Sequence, residues 1–394
     1  MVCVAAFIIL VLIGVAAALI SIFNRDFGRK YLALLKKSFH CFGKRIRLQK
    51  CDTNFSEDVK TTLLKKVVIK KPKLVKPLSF IIEVFSAILI IVTIWSVAEA
   101  VKAGLALWVF GTCNVSQPSN CALGAESCSI DENNLNWFTE WGEIFANIPD
   151  RIRTWDASSY VNREDGLIPA FVVGRNDKTN NSDQSIQFVN NRYTDPTINA
   201  IEIIDPGCSV CLQSYKNIIN NKDFNERHAT AFVIYPVTNP SGELRFKNSD
   251  IITRYIYAAN IQQQKVYNQF ANGSNGSPAE DSTDLSLDQQ RDILYGYSEK
   301  IIERIFTEFN NDGIIYQSVF SEQLDGDQAS TMLDDWLKEW GMTEEEINQI
   351  RSELYSETME TILRQNSKLI NDEIKPKGIP TMIYDGKKHL GLFK

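Results

Sequence analysis

From Val2 to Phe23 the chain reads VCVAAFIILVLIGVAAALISIF, about 22 residues without a charge. At a rise of about 1.5 Å per residue, such a run covers a hydrocarbon core about 30 Å thick and reads as a transmembrane helix. A cleaved signal peptide needs a positive segment ahead of its apolar run, and nothing charged precedes this one. A second stretch, Phe80 to Phe110, has an apolar centre from Val84 to Ala98 with Glu83, Glu99 and Lys102 near its ends. A tilted helix would carry those charges to the headgroups; the alternative is a buried helix of a soluble domain. Between the two runs, residues 24–77 hold sixteen Lys and Arg against Asp26, Asp52, Glu57 and Asp58, a net +12. The positive-inside rule makes that loop cytoplasmic and puts the amino terminus and everything after Phe110 outside. The whole chain is -6, and Glu83, Glu99 and Lys102 sum to -1, so the region from Gly111 onward is -17. A lysine-rich face suits anionic lipid, and an acidic outer region is a poor nucleic-acid binder.

The expected layout is therefore a transmembrane helix at 1–23, a basic cytoplasmic loop at 24–77 and a second transmembrane helix at 78–110. A cysteine-bearing juxtamembrane connector at 111–183 and a globular domain at 184–394 follow. A chain of 394 residues has ample length for an anchor and such a domain.

Eight cysteines divide by compartment. Cys3 lies in the first span, Cys41 and Cys51 lie in the basic loop as two unpaired thiols, and Cys113, Cys121, Cys128, Cys208 and Cys211 lie outside, where disulfides persist. Cys113, Cys121 and Cys128 are candidates for a structural disulfide closing a short loop. Three cannot all pair among themselves, so the one left over is free, pairs between chains or exchanges with the pair Cys208 and Cys211. No metal site is expected, because His228 and His389 are far from the cysteines in sequence and a second CxxC is missing.

In the outer region, NWFTEWGEIFANIPDRIRTW has amphipathic helical spacing and GLIPAFVVG is strand-like. The strand-like NAIEII, the CxxC at Cys208 to Cys211, a helix through Tyr215 and Ile218, and the buried strand ATAFVIYPV make a βαβ unit. Residues 251–372 read as almost wholly helical, including one long helix beginning at Thr343, whose cap Glu346 completes as a capping box. Trp336 and Trp340 are expected as core aromatics, and His228 and His389 as surface residues. After KPKGIPT the chain returns to a strand, TMIYD, and a short turn into KHLGLF.

AIEIIDPGCSVC together with GIPTMIYDGKKHLGLF resembles the thioredoxin fold, and the helical segment at about 250–372 resembles the insertion of its DsbA-like branch. The resemblance spans roughly Gln184 to Lys394. It implies an α/β fold, thioredoxin-like with a large helical insertion, preceded here by two transmembrane helices. It also implies thiol-disulfide oxidoreductase activity without a cofactor. Glu202, six positions before Cys208, matches the family's buried acid, and Pro380 matches its cis-proline, with Ile379 and Thr381 beside it on the substrate side. Two departures stand out. Gly207 precedes Cys208 where the family often has an aromatic, which leaves the substrate face less apolar, and the sequence reaches Lys394 without the family's terminal helix.

The chemistry of the residues agrees. A cysteine at a helix N-terminus meets unsatisfied N–H groups that favour the thiolate, so Cys208 is the candidate nucleophile. Cys211, one turn on, is the resolving thiol, and a buried Glu202 is the candidate acid/base. Expected partners are thiols and disulfides of secreted or envelope proteins, a separate membrane redox protein and the bilayer. Two other readings stay open: a non-catalytic adaptor or chaperone with a structural CxxC, and a copper-handling protein of the same fold.

Overall fold

The structure is a computed structural model and describes residues 75–117, 127–129, 135–174, 186–189, 192–239, 241–272 and 285–393. The first expected span, almost all of the basic loop, and Cys3, Cys41, Cys51 and Cys121 lie outside the described residues. The chain divides into two compact units, Met1–Ala103 and Gly104–Lys394.

The stretch expected as the second span lies within one helix, α1 (Val75–Phe110), of 36 residues. Its segment Ile91–Phe110 is the one helical stretch among the described residues long and apolar enough to cross a membrane, and only 6% of it is buried. Ile88, Ile91, Ile94, Trp95, Val97 and Val101 are all exposed. Among the described residues this apolar surface is left uncovered. Glu99 and Lys102 pair at 3.0 Å, one turn apart on this helix, which offsets part of the cost of holding either charge beside apolar surface.

The second unit is mixed α/β. In chain order it contains β1 (Cys128–Ser129), α2 (Trp137–Ile152), α3 (Ala157–Val161), β2 (Phe171–Val173), β3 (Gln187–Val189), β4 (Arg192–Thr194) and β5 (Ile198–Ile204). Next come α4 (Ser209–Asn220), α5 (Lys222–Arg227) and β6 (Ala229–Ile234). The helices α6 (Ser249–Asn272), α7 (Leu287–Thr307), α8 (Gly326–Glu339), α9 (Glu344–Glu353) and α10 (Glu357–Leu369) follow. The chain closes with β7 (Gly378–Ile379), β8 (Thr381–Tyr384) and β9 (Lys387–Leu390).

Five strands form one sheet in the order β2-β6-β5-β8-β9, with β5 and β6 parallel and the other neighbours antiparallel. The parallel pair requires a crossover, which α4 and α5 supply. β5 sits at the centre with Ala200, Ile201, Ile203 and Ile204 all fully buried. A strand covered on both faces has no solvent face, and Glu202 is buried with its neighbours. Trp155, Val161, Leu167 and Phe171 share this core, so the packed body takes in part of the 111–183 stretch.

α6 is the axis of the helical block, packed against α7, α8, α9 and α10. Capping boxes start α7 at Ser286 and Gln289, α8 at Asp325 and Gln328, and α9 at Thr343 and Glu346. The long helix expected from Thr343 is instead two. The Ser356 hydroxyl accepts from the Met359 amide at 3.1 Å and begins α10, because a serine oxygen at an N-cap satisfies an amide that a continuous helix would bond elsewhere. Trp336 is buried, and Trp340 packs partly buried against the same core. The two histidines differ from expectation. His228 is 4% exposed, stacked on Phe224 at 4.2 Å, with Nε2 3.0 Å from an Asp385 carboxylate oxygen, and His389 is half-buried and stacked on Tyr384. Both are drawn in by aromatic surface around the β8–β9 hairpin. That hairpin turns at Asp385 and Gly386, with φ of 48° and 72°, the left-handed pair of a two-residue turn.

Candidate functional site

β5 runs out into Asp205-Pro206-Gly207-Cys208, and α4 begins at once. Cys208 is the N-cap of α4 and makes no side-chain capping bond, so its sulfur stands at the helix end where the first turn lacks intrahelical partners. The loop is held by Asp205. Its carbonyl accepts from the Cys208 amide at 3.1 Å, and its carboxylate accepts from the Gly207 amide at 2.7 Å and the Val237 amide at 2.6 Å. The Ser249 hydroxyl, at the start of α6, donates to the same carboxylate. Gln317 donates to the Pro206 carbonyl at 2.9 Å.

Gly207 has a packing reason. A Cβ there would lie 2.2 Å from Cβ of Phe246, so the loop passes close against the base of that side chain. An aromatic therefore stands beside Gly207, from the segment after β6.

Cys211 is fully buried and is a free thiol. The Asp205 amide donates to its sulfur at 3.5 Å. Burial pushes the thiol well above its ordinary range, the Asp205 amide opposes this, and the charges of Asp205 and Glu202 push it further up. Glu202, on β5, is fully buried; its Oε1 accepts from the Ser214 hydroxyl at 2.5 Å, and its Oε2 is without a hydrogen-bond partner. Burial raises it to about 8, against the bond from Ser214. Burial likewise raises Asp205 to about 6, against its three hydrogen bonds and the charge of Arg245. Asp205 was not among the residues singled out from sequence; the signal was present, since an Asp two residues before Gly at a strand end commonly bonds the backbone ahead of it.

The Ile379–Pro380 peptide is cis. β7 ends there, and Thr381, buried, donates from its hydroxyl to the Gly378 carbonyl at 2.6 Å. β1 lies antiparallel on β7, with Cys128 opposite Ile379 and Ser129 opposite Gly378. A Cβ on Gly378 would come within 2.7 Å of the Cys128 carbonyl oxygen, so the two backbones meet closely.

This ladder delivers Cys128 to Cys208, and the two form a disulfide: S–S 2.09 Å, Cα–Cα 6.6 Å, 80 residues apart in sequence. Of the three connector cysteines, Cys128 is thus the one joined to the CxxC, one of the outcomes that the odd count left open. Spacing favoured a neighbour, and backbone pairing with β7 chose a distant partner. Cys113 is also disulfide-bonded, and Cys121 lies outside the described residues.

The arrangement contains what thiol-disulfide exchange needs: a sulfur at a helix N-terminus, a second thiol one turn away, buried carboxyls able to take a proton, and a backbone edge that accepts an extended segment. Among the described residues no group of three or more His, Cys, Asp or Glu is placed to hold a metal ion. No protein family, curated protein or solved structure matches the chain.

Proposed function

We propose that this chain is a membrane-anchored, extracytoplasmic thiol-disulfide oxidoreductase of the DsbA-like thioredoxin type, exchanging disulfides with secreted or envelope proteins through Cys208 and Cys211. The observation that carries the proposal is the state of the CxxC. Cys208 is bonded to a cysteine outside the motif, while Cys211 is a free thiol beside it. That is the covalent arrangement of a mixed disulfide awaiting resolution. In this reading Cys208 is the nucleophile and Cys211 resolves. Glu202 accepts the Cys211 proton in its ionised form, which is populated as the pH rises toward about 8. Pro380, with Ile379 and Thr381, holds the edge on which substrate adds as a strand. The helices between β6 and β7 are then the insertion in the thioredoxin scaffold. The apolar helix α1 and the +12 loop ahead of it support a two-span anchor with the basic loop cytoplasmic, and a separate membrane protein recharges the dithiol.

A second reading has one observation in its favour: Cys208 is fully buried, as a sulfur in a static staple would be. An adaptor of this fold would keep the Cys128–Cys208 bond permanently. The test is turnover of a small dithiol peptide and its disulfide by the full chain in detergent micelles, with the cysteines followed by alkylation. Turnover that is lost in both Cys208→Ser and Cys211→Ser supports the oxidoreductase. A CxxC that neither oxidises nor reduces the peptide, and resists glutathione, supports the adaptor.

A further inference from the structure

We propose that Cys128 is a third redox-active cysteine and that Ser127-Cys128-Ser129 is a tethered substrate of the Cys208/Cys211 pair. The inference rests on the oxidoreductase reading and names the class of segment its site accepts: an extended chain with small polar residues on either side of a cysteine.

Three independent features converge. The covalent one is that Cys128 is bonded to Cys208 and not to Cys211, which is the sulfur an incoming substrate engages when the N-terminal cysteine of the pair is the nucleophile. The second is the backbone. β1 pairs antiparallel with β7, placing Cys128 opposite Ile379, so the segment occupies the edge by strand addition. The fit is close enough that Gly378 has no room for a side chain. Its Cβ would meet the Cys128 carbonyl oxygen at 2.7 Å and the Ser127 hydroxyl at 3.2 Å. The third is the free partner. Cys211, the group needed to undo the bond, is unoxidised and buried under the same loop, with the Asp205 amide on its sulfur. Meanwhile the ladder holding β1 is only two residues long, and so short a pairing is weak without the covalent bond.

The step is an isomerisation. Cys211 gives its proton to Glu202 in its ionised form, which becomes populated as the pH approaches about 8, and the thiolate attacks Sγ of Cys208. The Cys208–Cys211 bond forms as the Cys128–Cys208 bond breaks, and Cys128 leaves as a thiolate that takes up a proton. The chain neither gains nor loses electrons, so no outside oxidant is required. In reverse, Cys128 closes the site against other thiols. An external substrate must therefore displace β1, and when Cys128 attacks the Cys208–substrate bond in return, Cys128–Cys208 re-forms and the substrate leaves as a thiolate.

The test maps disulfides in the full chain in detergent micelles, equilibrated over a series of glutathione redox ratios, quenched in acid, alkylated and read by mass spectrometry. Both Cys128–Cys208 and Cys208–Cys211 should be populated, and Cys211→Ser should leave only the former. Gly378→Ala, which touches no sulfur, should shift the ratio roughly tenfold toward Cys208–Cys211 by crowding β1. Ser129→Pro, which leaves the β7 side unaltered, should shift it the same way. If wild type and both variants hold Cys128–Cys208 alone at every ratio, the proposal is overturned. Cys128→Ser then separates the two levels. If Cys208–Cys211 forms and exchanges with glutathione in that variant, the oxidoreductase reading stands without the tethered substrate; if it never forms, both fall.

Discussion

Replacing Glu202 with Gln removes one proton-binding group from the middle of the sheet while keeping its shape and an oxygen for Ser214 to bond. The carboxyl is fully buried, and burial holds it at about 8, against 4.5 for an ordinary glutamate. Between those values the unfolded chain is ionised at this residue and the folded chain is protonated. The folded state therefore binds more protons, and stability falls as pH rises through this window; the contribution is fully favourable only below the unfolded value and is used up above the folded one. At about 1.36 kcal/mol per pH unit, the separation limits the loss to roughly 5 kcal/mol, of which about 3 kcal/mol falls between pH 5 and 7.5. Asp205 at about 6 and Glu299 at about 7 are also raised by burial, but they are common to both proteins and largely cancel in the difference. Guanidinium unfolding of wild type and Glu202→Gln in micelles, followed by near-UV circular dichroism, measures that difference. Both should carry Cys211→Ser so that this thiol does not attack the disulfide during unfolding. The Gln protein should gain on wild type by about 3 kcal/mol between pH 5 and 7.5. Parallel stability curves over that range would refute the reasoning, because they would mean Glu202 does not change protonation between the folded and unfolded states there.

Two further outcomes follow from the packing. Gly207→Ala should cost about 1–3 kcal/mol by forcing the loop off Phe246, and Phe246→Gly in the same chain should recover part of that cost in a double-mutant cycle of thermal midpoints. Asp195→Ala should cost about 3–5 kcal/mol, since it strands the buried Arg291 guanidinium that bonds Asp195 at 2.7 Å and the Thr197 hydroxyl at 2.8 Å; chemical denaturation at constant pH reads it.

The local signals in the sequence were strong where one period or one motif decides the structure. The isoleucine-rich run of β5, the helical spacing after Cys211 and the capping box at Thr343 each act over a few residues. They recur in the structure as β5, α4 and the start of α9. The same locality explains the error at Ser356. Helical spacing continues through LYSETM, and only the choice of Ser356 as a cap, with α9 burying Ile347 and Ile350 and α10 burying Met359 and Leu369, divides the two helices.

By itself the sequence determined the apolar helix α1, the strand-CxxC-helix order and the identity of the two sulfurs one turn apart, because turn geometry and hydrophobic period are properties of neighbouring residues. The partner of Cys208 was a tertiary decision. Disulfide pairing depends on which Cα atoms come within about 7 Å, and Cys128 arrives there through a ladder with β7, some 250 residues further along the chain. The buried acids belong to the same class. Glu202 and Asp205 have raised pKa values because sheet and helices exclude water around them from both faces, and Gly207 is small because Phe246 packs on it from another element. Burial and close approach are sums over distant segments, and a single stretch such as IEIIDPGCSVC does not contain them.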